Sequence, residues 1–146
     1  IHQKFLDSPF ETKENSMLDW IKNETENNSV FISFSKTVDI NLKARRSLFI
    51  TQEFPFNQNK FREFSKRYIS VYGSRSEIED NPGFWSGEKH NKYYHSLSPK
   101  YFLTMSSSYK INYLVFENKY INKDFLKFES SYSDSLFTVY NLKLLN

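Results

Sequence analysis

Residues 47–70, SLFITQEFPFNQNKFREFSKRYIS, carry the clearest structural signal in this chain of 146 residues. The apolar, β-branched run at 47–51 predicts a buried strand, which Pro55 ends because proline cannot donate to a central ladder. Asn57 suits a helix N-cap and Gly73 a helix end, so the residues between them predict a helix. Its buried face is predicted by aromatic residues at spacings of three and four, namely Phe61, Phe64, Tyr68 and Tyr72.

The rest of the chain alternates between helical and strand patterns. Outside the opening stretch, the predicted elements are a helix over 16–26, a strand over 30–34, a surface loop over 74–96, a helix over 99–108, a strand over 111–117, and two strands around a polar turn at 131–135. This order predicts an α/β sandwich with a mixed, partly parallel sheet that ends in a C-terminal antiparallel hairpin. We expect residues 1–14 to be a linker or lead-in and residues 15–146 to form a single α/β domain.

Composition narrows the class of protein. Aromatic residues make up 18% of the chain, which provides large buried areas in spite of few aliphatic residues. The chain has no Cys, which excludes a disulfide scaffold, thiolate catalysis and a Cys-based zinc site. No segment approaches the roughly 18 consecutive apolar residues of a membrane span.

Positive charge is concentrated in one part of the chain. Residues 36–75 carry nine Lys and Arg against three acidic residues. Guanidinium and ammonium groups bind phosphates and carboxylates, so this stretch predicts a site for an anionic ligand. The candidate residues are Arg45, Arg46, Arg62, Lys66 and Arg67. The alternatives are a solvated helix face and a nucleic-acid surface, and the second is disfavoured because the interleaved aromatic residues have the spacing of a core.

A second candidate region lies within the predicted loop, where Trp85 and His90 could contact a sugar or a neighbouring domain. The favoured alternative is a loop that only folds its Trp onto the core. His90 and His95 are five residues apart, which does not match a helical pair of metal ligands, so we expect neither a metal nor a cofactor. A small hydrolase would need one of these histidines beside a serine or a carboxylate. The sequence contains no nucleophile elbow and no phosphate-binding glycine loop.

The order of several short motifs resembles a known, poorly characterised family. The motifs are MLDWIKNETENNSVFISF, ARRSLFITQEFPF, FREFSKRY, INYLVFE and LFTVYNL, and they cover about residues 19–142. They resemble the soluble C-terminal domains of bacterial polytopic membrane proteins that are similar to lipid-linked-sugar glycosyltransferases and oligosaccharyltransferases. In that pattern Trp20, Arg46, Phe64 and Arg67 occupy the characteristic positions.

The resemblance implies an extracytoplasmic domain that is anchored to the membrane through segments outside residues 1–146. Its partners would be the membrane-embedded region of the same polypeptide and a glycan or lipid-linked sugar. Such a domain would be non-catalytic in isolation, although its parent protein would be a glycosyltransferase. The WWDYG acceptor motif of oligosaccharyltransferases is missing here. The alternative is a soluble cytoplasmic module that binds an anionic ligand or a nucleic acid.

Overall fold

The computed structural model describes residues 9–34, 40–50, 57–73 and 88–146. The helices are α1 (Pro9–Glu24), α2 (Gln58–Tyr72), α3 (Glu88–Ser96) and α4 (Pro99–Ser106). The strands are β1 (Val30–Ile32), β2 (Ser47–Leu48), β3 (Tyr113–Glu117), β4 (Tyr132–Ser133) and β5 (Phe137–Asn141). Short 3-10 turns cover Asn118–Tyr120, Lys123–Phe125 and Leu142–Leu144.

The strands of the described residues form one mixed sheet in the order β2-β1-β3-β5-β4. β1 pairs in parallel with both β2 and β3, whereas β5 runs antiparallel to β3 and β4. The predicted α/β fold with a partly parallel sheet and a C-terminal antiparallel hairpin is therefore confirmed. All five residues of β3 are buried, as expected of an apolar strand at the centre of a sheet.

Helices cover both faces of the sheet. On one face, Trp20 of α1 packs against Tyr132 of β4. Tyr132 pairs with Val139 of β5, and both side chains lie on this face. On the opposite side, Tyr94 of α3 stacks on Phe116 at 5.2 Å between ring centres, and Phe102 of α4 meets the same ring edge-on. A single aromatic-rich core results, as the composition predicts.

The cap residues of α2 and α4 do what their positions predict. The Asn57 side chain accepts a hydrogen bond from the amide of Asn59, and Gly73 ends α2 with φ 83°. Ser98 caps α4 at the amide of Tyr101, with Pro99 as its first residue. One prediction for α2 is wrong, because Phe61 is 42% exposed.

Three other element boundaries differ from the sequence prediction. α1 begins at Pro9 rather than at residue 16, because proline in the first turn of a helix costs no hydrogen bond. Residues 88–96, predicted as loop, form α3. The position of the first hairpin strand is wrong, because Lys123–Phe125 forms a 3-10 turn and β4 lies inside the predicted turn at 131–135. The predicted Phe54-Pro55-Phe56 elbow lies outside the described residues.

Candidate functional site

Arg46, one of the predicted ligand-binding residues, is buried at the C-terminal end of α1. Only 4% of this residue is exposed. Its Nη2 donates hydrogen bonds to the carbonyl oxygens of Lys22 and Thr25, both at 2.8 Å. Nε donates to the Thr25 hydroxyl at 3.0 Å, and Nη1 donates to the carbonyl oxygens of Ala44 and Arg45. These bonds use all five N–H donors of the arginine side chain.

The end of α1 explains why this arginine is buried. The last carbonyl groups of a helix have no partner within the helix, and α1 is not followed by a glycine cap. Arg46 supplies the missing donors and places a positive charge at the negative end of the helix dipole. Arg45 has φ 53°, a left-handed conformation that is uncommon outside glycine. In this conformation, the carbonyl oxygens of Ala44 and Arg45 both accept hydrogen bonds from the Arg46 guanidinium.

An open depression of about 370 Å³ lies beside this cap, and we call it the α1 depression. Its lining residues are Lys22, Asn23, Asn27, Arg45 and Arg46. All of them except Arg46 are exposed. The acceptors around Arg46 are a hydroxyl and carbonyls rather than carboxylates, so no ion pair within the described part of the chain neutralises its charge. The α1 depression thus combines three cations with two amides, a combination that suits a small anion.

Sequence reasoning found Arg45 and Arg46 but missed the residues that the end of α1 and the segment after it contribute. Lys22, Asn23 and Asn27 lie about twenty residues earlier in the chain, and only the fold brings the two segments together. A signal existed, because the polar run after the predicted helix lacks a glycine and leaves its end without a cap. A donor from elsewhere in the chain was therefore required.

Arg67 connects α2 to the segment that follows β2 through a hydrogen bond to the backbone. Its Nε donates to Glu63 Oε1 at 2.9 Å, and Nη1 donates to the carbonyl oxygen of Phe49 at 3.2 Å. The guanidinium also lies over the rings of Phe49 and Tyr109, at 4.9 and 5.3 Å from their centres. Such cation–π contacts add about 0.5–1 kcal/mol each at partly exposed sites.

The residues of the predicted basic stretch lie on different elements of the fold. Arg45 and Arg46 precede β2, whereas Arg67 contacts the residue after β2. Arg62 and Lys66 are exposed on α2 with the spacing i, i+4. Of the five candidate residues, only Arg45 and Arg46 line the α1 depression.

His90 lies in α3 and is buried. Its Nδ1 donates to the carbonyl oxygen of Tyr72 at 2.8 Å, and its ring packs edge-on against Tyr68. This contact joins α3 to the C-terminal turn of α2. The other candidate from the predicted loop, Trp85, lies outside the described residues.

Among the described residues, His95 is a histidine whose two ring nitrogens both form hydrogen bonds with the backbone. Nδ1 donates to the carbonyl oxygen of Asn91 at 2.8 Å, and Nε2 accepts from the amide of Glu117 at 3.0 Å. An accepting Nε2 requires the neutral ring. Burial, with a smaller effect of the Lys119 charge, lowers the pKa of His95 to about 4. His95 therefore has no free nitrogen with which to activate a serine or a water.

Comparison with models of known protein families and with curated proteins finds no match for this chain. Within the part of the chain that the structure describes, no group of three or more His, Cys, Asp or Glu residues is placed to hold a metal ion. The same part contains no helix that is both long enough and apolar enough to cross a bilayer. The resemblance to C-terminal domains of membrane glycosyltransferase-like proteins thus stays a prediction.

Proposed function

We propose that this chain is a binding module, non-catalytic by itself, that holds a small anionic ligand in the α1 depression. The observation that carries the proposal is the buried charge of Arg46, whose acceptors in the described ranges are all neutral. An anion in the α1 depression would interact with this charge and with the exposed cations of Lys22 and Arg45. Water screens such interactions less in a depression than on an open surface.

The lining residues favour an anion that also carries hydroxyl groups. Carboxylates and phosphates match the cations, while the amides of Asn23 and Asn27 can both donate and accept hydrogen bonds. A volume of about 370 Å³ is near the lower end of the roughly 300–1,000 Å³ that is usual for ligand pockets. An acidic sugar or a sugar phosphate meets both requirements.

The second hypothesis is a module that binds nucleic acid through α2. The exposed Arg62 and Lys66 support it, since they could contact successive phosphates. Single-stranded nucleic acid also needs aromatic rings for base stacking. Phe64 and Tyr72 are buried, however, and Tyr68 packs against the core, so Phe61 is the one aromatic residue of α2 that is exposed for stacking. We therefore favour the small anion over nucleic acid.

We further propose that the module works outside the cytoplasm, next to a membrane-embedded region of the same polypeptide. The support for this location is the order of motifs that resembles the glycosyltransferase-like family. In that setting the anion would be the acid or phosphate group of a glycan or lipid-linked sugar. The alternative, a cytoplasmic module, would keep the same site and the same class of ligand.

Isothermal titration calorimetry of the intact chain tests the proposed site. We expect glucose 6-phosphate and glucuronate to bind at low ionic strength, and binding to weaken as salt is added. Arg45→Ala should weaken binding about tenfold, equivalent to about 1.4 kcal/mol. Arg62→Ala is the matched control, because it removes an exposed arginine from α2 and leaves the α1 depression intact.

The result that contradicts the proposal is equal weakening by both variants, or no binding of either acid. Salt-sensitive binding of a single-stranded oligonucleotide that Arg62→Ala abolishes would favour the nucleic-acid hypothesis instead.

A further inference from the structure

We propose that the carboxyl ends of β1 and β3 form a second binding site, for a small, non-anionic molecule that donates hydrogen bonds. We call it the crevice site. It is built from Ser33, Asn91 and Glu117, and it shares no residue with the α1 depression. The donors of the ligand would be hydroxyl groups, as in a sugar or polyol, or an ammonium group.

The first observation is a set of buried polar atoms with unmet hydrogen-bonding capacity. Ser33, Asn91 and Glu117 are only 5%, 4% and 5% exposed. Asn91 Nδ2 donates to Glu117 Oε2 at 3.2 Å, but Asn91 Oδ1 and Ser33 Oγ have no hydrogen-bond partner among the described residues. Buried polar atoms almost always have partners in folded proteins, so each exception calls for an explanation.

The polar side chains next to the crevice site have hydrogen-bond partners, so the unpartnered atoms of Ser33 and Asn91 are unusual among their neighbours. The Tyr94 hydroxyl donates to the carbonyl oxygen of Val115 at 2.6 Å, and the Tyr72 hydroxyl donates to that of Ser33 at 2.5 Å. Both nitrogens of His95 are also bonded. Within the described residues, the buried side-chain atoms without a partner are Ser33 Oγ, just after β1, and Asn91 Oδ1, on the helix α3 that contacts Glu117.

The second observation is the place of these residues in the sheet. Ser33 directly follows β1, and Glu117 is the last residue of the parallel neighbour β3. From β1 the chain first moves to β2 on one side and later returns to β3 on the other. Such a reversal of strand order is a topological switch point, and open α/β sheets bind ligands at the carboxyl ends of the strands there.

The connection from β1 to β2 and the connection from β2 to β3 lie on opposite faces of the sheet. A crevice at a switch point requires this arrangement. The segment before β2 packs on α1, through the contacts of Arg46 and of Lys43 with Asn15. The connection from β2 to β3 runs through α2, α3 and α4, and α3 covers the opposite face through Tyr94 and Phe116. Asn91 projects from this same helix onto Glu117.

The two unmet atoms, together with the Glu117 carboxylate that Asn91 contacts, define the chemistry of the ligand. A carboxylate and an amide oxygen accept hydrogen bonds, and the serine hydroxyl can accept or donate one. A ligand must therefore supply donors, and a negatively charged ligand would be repelled by Glu117. Because the three side chains are closed off from solvent, binding must be coupled to opening of the crevice, which lowers the apparent affinity.

Heteronuclear NMR titration of the intact chain tests the proposal with two probes, glucose for hydroxyl donors and ethanolamine for an ammonium donor. We expect at least one of them to shift the amide signals of Ser33, Asn91 and Glu117 saturably in the millimolar range. Glucuronate should leave these three signals unchanged while it shifts those of the α1 depression. If neither glucose nor ethanolamine shifts the crevice signals, the proposal is overturned, whatever happens at the α1 depression.

Glu117→Gln separates a ligand-binding role from a structural one. The substitution keeps the side-chain shape and removes a buried charge, so it should raise the midpoint of thermal unfolding by a few degrees. It should also weaken binding of the active probe about tenfold. Glu129→Gln, at an exposed position, is the control and should change neither quantity. A fall in the unfolding midpoint, or loss of folding, would show that Glu117 is needed for structure and would contradict the proposal.

Discussion

Single residues stabilise this molecule chiefly where a buried side chain meets a backbone group that lacks a partner. Arg46 satisfies carbonyl oxygens at the end of α1, His95 accepts from the last amide of β3, and the Tyr94 hydroxyl donates to β3. A lost bond of this kind costs more than its own energy, because the remaining buried group stays unpaired.

Arg46→Met should destabilise the protein by roughly 2–4 kcal/mol, because it leaves several buried carbonyl oxygens without donors and removes the cap of α1. Arg46→Lys should recover only part of the loss, since an ammonium group cannot reproduce the planar fork. Urea unfolding measures the difference. Arg62→Met is the control, and an equal effect at this exposed position would contradict the role given to Arg46.

His95 makes the stability depend on pH. Its pKa of about 4 in the folded protein is below the value of roughly 6.5 for a histidine in an unfolded chain. Its contribution is complete above about pH 6.5, decreases as pH falls towards 4, and amounts to roughly 3 kcal/mol over that range. His95→Gln should therefore show a weaker loss of stability than the wild type between pH 6.5 and 5, measured by urea unfolding. Parallel curves for the two proteins would rule out this assignment.

Among the secondary structure elements, the junction of α2 and α3 depends on one glycine. Gly73 has φ 83°, and a Cβ built there would lie 3.1 Å from the ring of Tyr93. Gly73→Ala should thus cost roughly 1–2 kcal/mol, from strain in the left-handed conformation and from the close contact. Thermal unfolding tests this against Ser106→Ala, a helix-end substitution outside the junction. A destabilisation by Gly73→Ala no larger than that of the control would show that the junction can relax.

Elements with strong local signals could be predicted from sequence, and those shaped by tertiary contacts could not. β3 is apolar throughout, and Asn57, Ser98 and Gly73 mark helix ends through their own side chains or backbone. The buried side of α3, in contrast, includes His90, Asn91 and His95, so it lacks the apolar periodicity of a helix. Its polar residues become buried only because β3 and α2 supply partners.

The candidate site was predictable to a smaller extent than the fold. Charge density indicated Arg45 and Arg46, but it could not show that all donors of Arg46 are used within the protein. Nor could it show that Lys22 of α1 would lie beside them. The two segments that line the α1 depression lie about twenty residues apart in the sequence. No sequence pattern spans both of them, so their contact could not be predicted.

The whole molecule is organised around β3, which has β1 on one side and β5 on the other. All five residues of β3 pair with β5, whereas β2 and β4 are two-residue edge strands. Hydrogen exchange should therefore be slowest in β3 and β5, where opening requires global unfolding. Exchange in β2 should be faster by at least about tenfold. Equal protection of β2 and β3 would contradict a central role for β3.

The central claim is that the α1 depression binds a small anion, and NMR titration of the intact chain with inorganic phosphate tests it most directly. Saturable shifts should be largest for residues 22–27 and 44–47, and the affinity should fall as sodium chloride is added. Shifts concentrated on residues 58–69 of α2, or shifts that do not saturate, would contradict the claim.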